Sequence, residues 1–298
     1  MDVPECRDPA GGLAVIDGLA LDKPIPCVAE RRARVGEEWR LRMNPTPVTR
    51  RRFVWSLGQA AVITCFGAQA IEAIEAVEGA LRAGSVSYIG EQQEIFKTGR
   101  ASATVSLGQL AGLPHLYVIG PVERLDGEIT IFNSEPHVSK VRGSGDAYIV
   151  DRTFNHGAIF LVWAQVREWN MITIPQTVSS YRELETVVRE AARQNSIATD
   201  VPFPFLITGT PHELVWHINV DRTEGQVITR DLFWKSKQQY MLRGERVDIL
   251  GVYSEKHNGV FMPQGATIHI HFISQSSAAT GHIDAIVPGS FTLRLPRA

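Results

Sequence analysis

Residues 266–287 restrict the fold more than any other stretch of the chain. Thr267-Ile-His269-Ile-His271-Phe-Ile273 is β-branched and apolar, which predicts a strand. Side chains two apart on a strand share a face, so His269 and His271 point the same way. The polar run from Ser274 to Gly281 reads as a turn, and Ile283 to Val287 is apolar again. Antiparallel pairing of the two runs brings His282 back beside His271. Three imidazoles on one face of one hairpin suit a divalent metal with at least one open coordination position.

The other possible ligands narrow quickly. The three cysteines, Cys6, Cys27 and Cys65, lie in the first quarter of the chain. No disulfide or thiolate site is therefore possible downstream, and a metal there is held by His, Asp or Glu. At 298 residues, 44% hydrophobic and 21% charged, the chain is of ordinary globular composition. A net charge of −2 gives no reason to expect a nucleic-acid partner. A Gly-rich nucleotide loop after a strand and a Gly-x-Ser-x-Gly elbow are both missing, which argues against nucleotide cofactors and serine hydrolysis.

The N-terminal quarter reads as an address. Residues 1–42 are rich in Pro, Gly and Arg without a sustained period, and form an expected non-structural extension, with Met43 as the expected start. Residues 43–70 then follow the three-part plan of an export signal. Thr49-Arg50-Arg51-Arg52-Phe53 is a twin-arginine-type basic region, Phe53 to Ala70 carries no charge, and Ala68-Gln69-Ala70 is a small-x-small exit. The expected location is periplasmic or secreted, with no stable membrane insertion once the signal is removed. Residues 71–298 form the expected mature domain, with a lobe boundary near Pro202-Phe-Pro204 and a homodimer as one expected assembly.

Within that domain, Ile71 to Arg82 has helical spacing, and Thr177 to Ser196 fits a second helix. Ser179 or Ser180 caps the second, and Leu184, Val187, Val188 and Ala191 form its stripe. His115 to Asn133 reads as strand, turn, strand about Asp126-Gly127. Glu128 opens the second of these strands and shares a face with Thr130 and Phe132. Strands are also predicted at Ala147 to Val150, within Gly157 to Trp169, and at Phe205 to Thr208. Further strands are predicted at Leu214 to Val220, Gln226 to Thr229, Asp248 to Tyr253 and Ser290 to Leu295. Gln238 to Arg246 reads as a polar linker. Glu128 is either a solvated strand-edge carboxylate or a metal or acid–base group. His217, opposite Trp216 on its strand, is either a satisfied strand histidine or a proton donor.

His269-Ile-His271-Phe-Ile with Gly281-His282-Ile-Asp284 resembles the metal hairpin of the α-acetolactate decarboxylase family, spacing included. Leu125-Asp126-Gly127-Glu128 and Leu250-Gly251-Val-Tyr-Ser254-Glu255 are similar to two further segments of that family, in the same order. Cupin-type oxygenases also use a His-x-His strand, but their following glutamate has no match among Phe272, Ile273, Ser274 and Gln275. The resemblance implies a β-rich α/β fold with two sheet lobes and a zinc-type ion between them. It implies His269, His271 and His282 as metal ligands and Glu128 as a carboxylate beside the metal, with His217 a second acid–base candidate. It further implies a carboxy-lyase that decarboxylates a small 2-hydroxy-3-oxo acid, such as 2-acetolactate to acetoin. Two positions depart from the family pattern. A glutamate expected from a C-terminal tail has no counterpart in residues 287–298. A central-strand arginine is matched by His217, with Arg222 and Arg230 the nearest arginines. The alternatives are a lyase of the same fold acting on a different hydroxy-keto or aromatic substrate, and a periplasmic metal- or ligand-binding protein without turnover.

Overall fold

The computed structural model describes residues 84–297 apart from 144, 174–177, 224 and 277. The export signal, the helix expected over Ile71 to Arg82 and the cysteines lie outside the described residues. The chain order is β1 (Val86–Ile89), α1 (Gln93–Thr98), β2 (Val105–Ser106), β3 (Leu116–Pro121), β4 (Glu128–Phe132), β5 (Glu135–Val141), β6 (Tyr148–Asp151), β7 (Gly157–Ala158), β8 (Leu161–Gln165), β9 (Trp169–Thr173) and α2 (Tyr181–Gln194). It continues through β10 (Phe203–Thr210), β11 (Glu213–Asn219), α3 (Arg230–Lys235), β12 (Lys237–Leu242), β13 (Val247–Tyr253), β14 (Ile268–Ser274), β15 (Thr280–Val287) and β16 (Ser290–Pro296).

These strands make two large antiparallel sheets, the two lobes of a β-rich α/β fold. The first has the order β1-β8-β3-β4-β5-β6 and the second β12-β11-β15-β14-β13-β10-β16-β9. Strand alternation divides the apolar residues into three layers. Val118, Ile129, Ile131 and Trp163 face outward from the first sheet, beneath Leu107 and Leu110 of a short 3-10 turn. Ile119, Phe160 and Val162 of the first sheet and its loops meet Leu206, Leu250 and Val252 of the second in a middle layer. Phe205, Trp216, Ile270, Phe272 and Ile283 project from the far face of the second sheet onto α2.

Helix α2 forms where its period predicts. Leu184, Val188, Ala191 and Ala192 are buried and Val187 packs beside them. Ser180 Oγ accepts from the Glu183 amide at 3.3 Å, while the Glu183 carboxylate returns to the Ser179 amide at 2.7 Å. This reciprocal arrangement satisfies amides that the first turn leaves open.

Three expectations need correction. The change of sheet falls between Gln165 and Trp169, not at Pro202-Phe-Pro204, because Phe203 and Pro204 already belong to β10. Pro204 pairs with Val252 on one side only, as β16 joins β10 from Leu206 onward, so its missing amide hydrogen removes no ladder bond on the second side. Gln226 to Thr229 is not a strand; the Thr229 hydroxyl accepts from the Leu232 amide and caps α3. The linker expected over Gln238 to Arg246 is mostly strand β12. It sits at the sheet edge with β11 as its one neighbour, so its sequence needs no apolar alternation.

Candidate metal centre

The centre lies between the two sheets, on the face of the second sheet opposite α2. His271 pairs directly with His282 across β14 and β15, and His282 pairs with His217 across β15 and β11. Three adjacent strands therefore carry a row of imidazoles, and His269 lies two residues along β14. The ring nitrogens of His269, His271 and His282 lie within 4.8 Å of one another, a group that could hold a metal. A second such group among the described residues is His217, His282 and Asp284.

The tautomers follow from the partners. His269 Nδ1 lies 2.6 Å from the Phe261 carbonyl, which can only accept, so Nδ1 carries the hydrogen and Nε2 presents its lone pair. That Nε2 is 3.0 Å from His282 Nδ1. His271 Nδ1 lies 3.2 Å from the Thr130 hydroxyl, which also accepts from Thr280 at 3.0 Å. Its Nε2 is buried and has no hydrogen-bond partner among the described residues. A buried imidazole nitrogen left unsatisfied is unfavourable unless something binds it. These outer partners, a backbone carbonyl and a hydroxyl, are of the kind that orient ligating histidines.

Glu128 faces the same space from the first sheet. It opens β4, pairs with Pro121 and Ser139, and is 2% exposed. Asn219 Nδ2 donates to its Oε1. His217 Nε2 is 3.6 Å from Oε1, and His271 Nε2 is 3.7 Å from Oε2. Burial pushes the Glu128 carboxyl well above the usual carboxylate range, against an opposing pull from Lys237. Burial likewise lowers the imidazoles, His269 to about 4 and His271 and His282 well below their ordinary value. They are neutral at pH 7, the form in which imidazole binds metals. Three neutral imidazoles, one orphaned nitrogen and a carboxyl form a donor set that fits a divalent ion.

His217 departs from this group. Its Nδ1 donates to Asp284 Oδ2 at 2.9 Å. Asp284 is placed by a bulge: Trp216 pairs with Ile283 and Val215 with Ala285, leaving Asp284 as the extra residue on β15. It also receives Gln239 Nε2 at 3.2 Å and Lys237 Nζ at 3.4 Å. Burial opposes its ionisation, but His217, Lys237 and Gln239 together hold the carboxyl below its usual range.

A cavity of about 250 Å³ opens from this floor. Glu128, His217, His269 and His282 line its base, and Arg230, Lys237 and a set of aromatic rings line its walls. Of the two arginines considered from sequence, Arg230 reaches the cavity, while Arg222 bonds Gln238 at 2.6 Å.

All five site residues expected from sequence, Glu128, His217, His269, His271 and His282, thus lie together. Sequence reading missed Asn219, although it stands two residues from His217 on one strand and so shares its face. It also missed Lys237 and Gln239, hidden in the supposed linker. Asp284 was visible within the Gly-His-Ile-Asp motif, but only the bulge gives it a role.

No protein-family model matches the chain, and no curated protein matches it. Solved structures do. A Staphylococcus aureus protein of unknown function, described as similar to α-acetolactate decarboxylase, superposes with a TM-score of 0.57 at 14% identity, over 70% of this chain and 84% of that one. The α-acetolactate decarboxylase of Bacillus subtilis strain 168 gives 0.57 at 15% identity, over 72% and 86%. The enzyme from Bacillus subtilis subspecies spizizenii gives 0.57 at 17% over the same shares. At these identities the agreement is one of fold, and the fold of this divergent chain is the one its histidine hairpin resembles, that of the acetolactate decarboxylases.

Proposed function

We propose that the protein is a metal-dependent carbon–carbon lyase that decarboxylates a 2-hydroxy-3-oxo acid. The observation that carries this reading is the convergence of His269, His271 and His282 with the buried Glu128, next to one cavity, in the acetolactate decarboxylase fold. His269, His271 and His282 are the residues that would hold the ion, taken here as zinc. A divalent ion held there supplies a Lewis acid for the substrate's carbonyl oxygen and positive charge to offset the electrons released.

The remaining work falls to the chain's own groups. Cleavage of the bond to the carboxylate releases carbon dioxide and leaves its electron pair as the carbon–carbon double bond of an enediolate. One proton must then be added to carbon. Glu128, oriented by Asn219 at Oε1 and pushed toward its protonated form by burial, is placed to supply that proton. His217, fixed by Asp284 through Nδ1, turns Nε2 toward Glu128 at 3.6 Å, and there it takes up a proton from water and passes it to the carboxylate after each turnover. The middle apolar layer around Phe160 and Leu250 keeps bulk water from the base of the cavity.

The reading is tested by metal analysis of the purified protein together with release of carbon dioxide from 2-acetolactate. Near one zinc per chain, lost in His271→Ala, and carbon dioxide release lost in Glu128→Gln are the expected results. Absence of divalent metal, or equal binding by His271→Ala, would overturn the site. Export through the signal at residues 43–70 is proposed on the sequence of those residues alone.

A further inference from the structure

The walls of the cavity are unlike its base. Arg230, Phe96, Phe233, Trp234 and Lys237 form a continuous belt. The Arg230 guanidinium lies 4.9 Å from the Phe96 ring centre, and Phe96 meets Phe233 edge-on at 5.2 Å. Phe233 is 5.9 Å from Trp234, and Lys237 Nζ lies 4.6 Å from the Trp234 ring centre. Deeper in, Phe160 stands 6.2 Å from His269. The Lys237 end belongs to the reaction centre, since its ammonium also reaches Asp284. No carboxylate pairs with Arg230 among the described residues. Trp234 lines the cavity yet is 63% exposed, an arrangement that leaves a large ring face open to a ligand.

A substrate whose substituents are two methyl groups leaves most of this aromatic surface uncovered. We infer that the substrate is an anionic hydroxy-keto acid bearing an aromatic substituent. Its carboxylate is drawn toward Lys237, and its ring lies against Phe96, Phe233 and Trp234. Arg230 at the far end of the belt adds attraction for the anion on approach. This rests on the proposed decarboxylase reading for its reactive end, and on the cavity walls alone for its aromatic end.

Binding is tested on the purified protein by isothermal titration with two unreactive acids, 2-hydroxy-2-phenylpropanoate and 2-hydroxy-2-methylpropanoate. The phenyl acid is expected to bind about tenfold more tightly, from ring stacking and added apolar burial. Trp234→Ala is expected to remove most of that preference, weakening the phenyl acid more than the methyl acid, and Trp234→Phe to restore much of it. Turnover is compared with 2-hydroxy-2-methyl-3-oxo-3-phenylpropanoate against 2-acetolactate. The phenyl substrate is expected to have the higher kcat/KM, and Trp234→Ala to shrink that ratio. Equal binding of the two unreactive acids, equal loss of both in Trp234→Ala, or faster turnover of acetolactate overturns the inference and leaves the lyase reading standing. If neither oxo acid releases carbon dioxide, the lyase reading fails, and the titration still decides the aromatic preference.

Discussion

Gly281 stands immediately before His282, and Gly281→Ala tests whether packing behind the histidine cluster sets its geometry. A Cβ at this position would lie 2.6 Å from the His217 carbonyl oxygen and 2.7 Å from Cε3 of Trp216. Both distances are well inside van der Waals contact. Neither neighbour can yield cheaply. The carbonyl belongs to the β11 backbone that pairs His217 with His282. The indole is buried, stacked on Tyr240 at 4.6 Å and met edge-on by Phe272 at 5.1 Å and Tyr148 at 5.4 Å. Overpacking of this kind destabilises by about 1–3 kcal/mol. At 2 kcal/mol, thermal unfolding of a domain of this size should fall by about 4–8 °C. Separation of β15 from β11 also moves His282, so zinc affinity should weaken by about tenfold or more. Circular dichroism melts and a competitive zinc titration measure the two effects. Trp216→Phe combined with Gly281→Ala should recover part of both, because the smaller ring vacates the space the methyl needs. A Gly281→Ala protein that melts within 1 °C of the parent and binds zinc equally would refute the packing account.

Three further outcomes are expected. In chelated protein, His269 titrates near 4 when folded and near 6.5 when unfolded, so the unfolded chain takes up the proton first. Stability from this residue is complete above pH 6.5 and declines by about 3 kcal/mol as the pH falls to 4, read from urea midpoints across that range; a flat profile would remove the neutral-imidazole premise. Asp284→Asn leaves Lys237 and the His217 Nδ1 hydrogen without their charged partner and should destabilise at pH 7 by on the order of 3 kcal/mol. The depressed carboxyl contributes its stability above pH 3.8 and loses it as the pH falls below, so the gap from the parent must close in acid, and a gap that persists would contradict the ion-pair explanation. Ser180→Ala removes the cap of α2 and should cost about 1 kcal/mol, seen as a lower denaturant midpoint with unchanged zinc binding.

The hairpin was legible because a strand's period of two fixes which side chains share a face. His269 and His271 two apart, a polar turn, and His282 on return leave one antiparallel register that brings them together, and that is the register found. Glu128 was legible for a similar reason, since the Asp126-Gly127 turn sets where β4 begins. The α2 stripe and its serine cap are likewise local chemistry. The edge strand β12 was not legible, because a strand with one neighbour and two half-solvated faces carries no pattern to read. With it went Lys237 and Gln239.

The sequence alone determined the face on which the imidazoles stand and the helix that covers the far side of the sheet. Each of these depends on residues near one another in the chain, where backbone geometry leaves few choices. Only the tertiary structure decided that Glu128 and Asn219 meet, 91 residues apart, across two sheets. It also decided that a bulge turns Asp284 onto His217, and that Arg230, Phe96 and Trp234 join into one wall. Those contacts depend on how separate elements pack, and no local period encodes that.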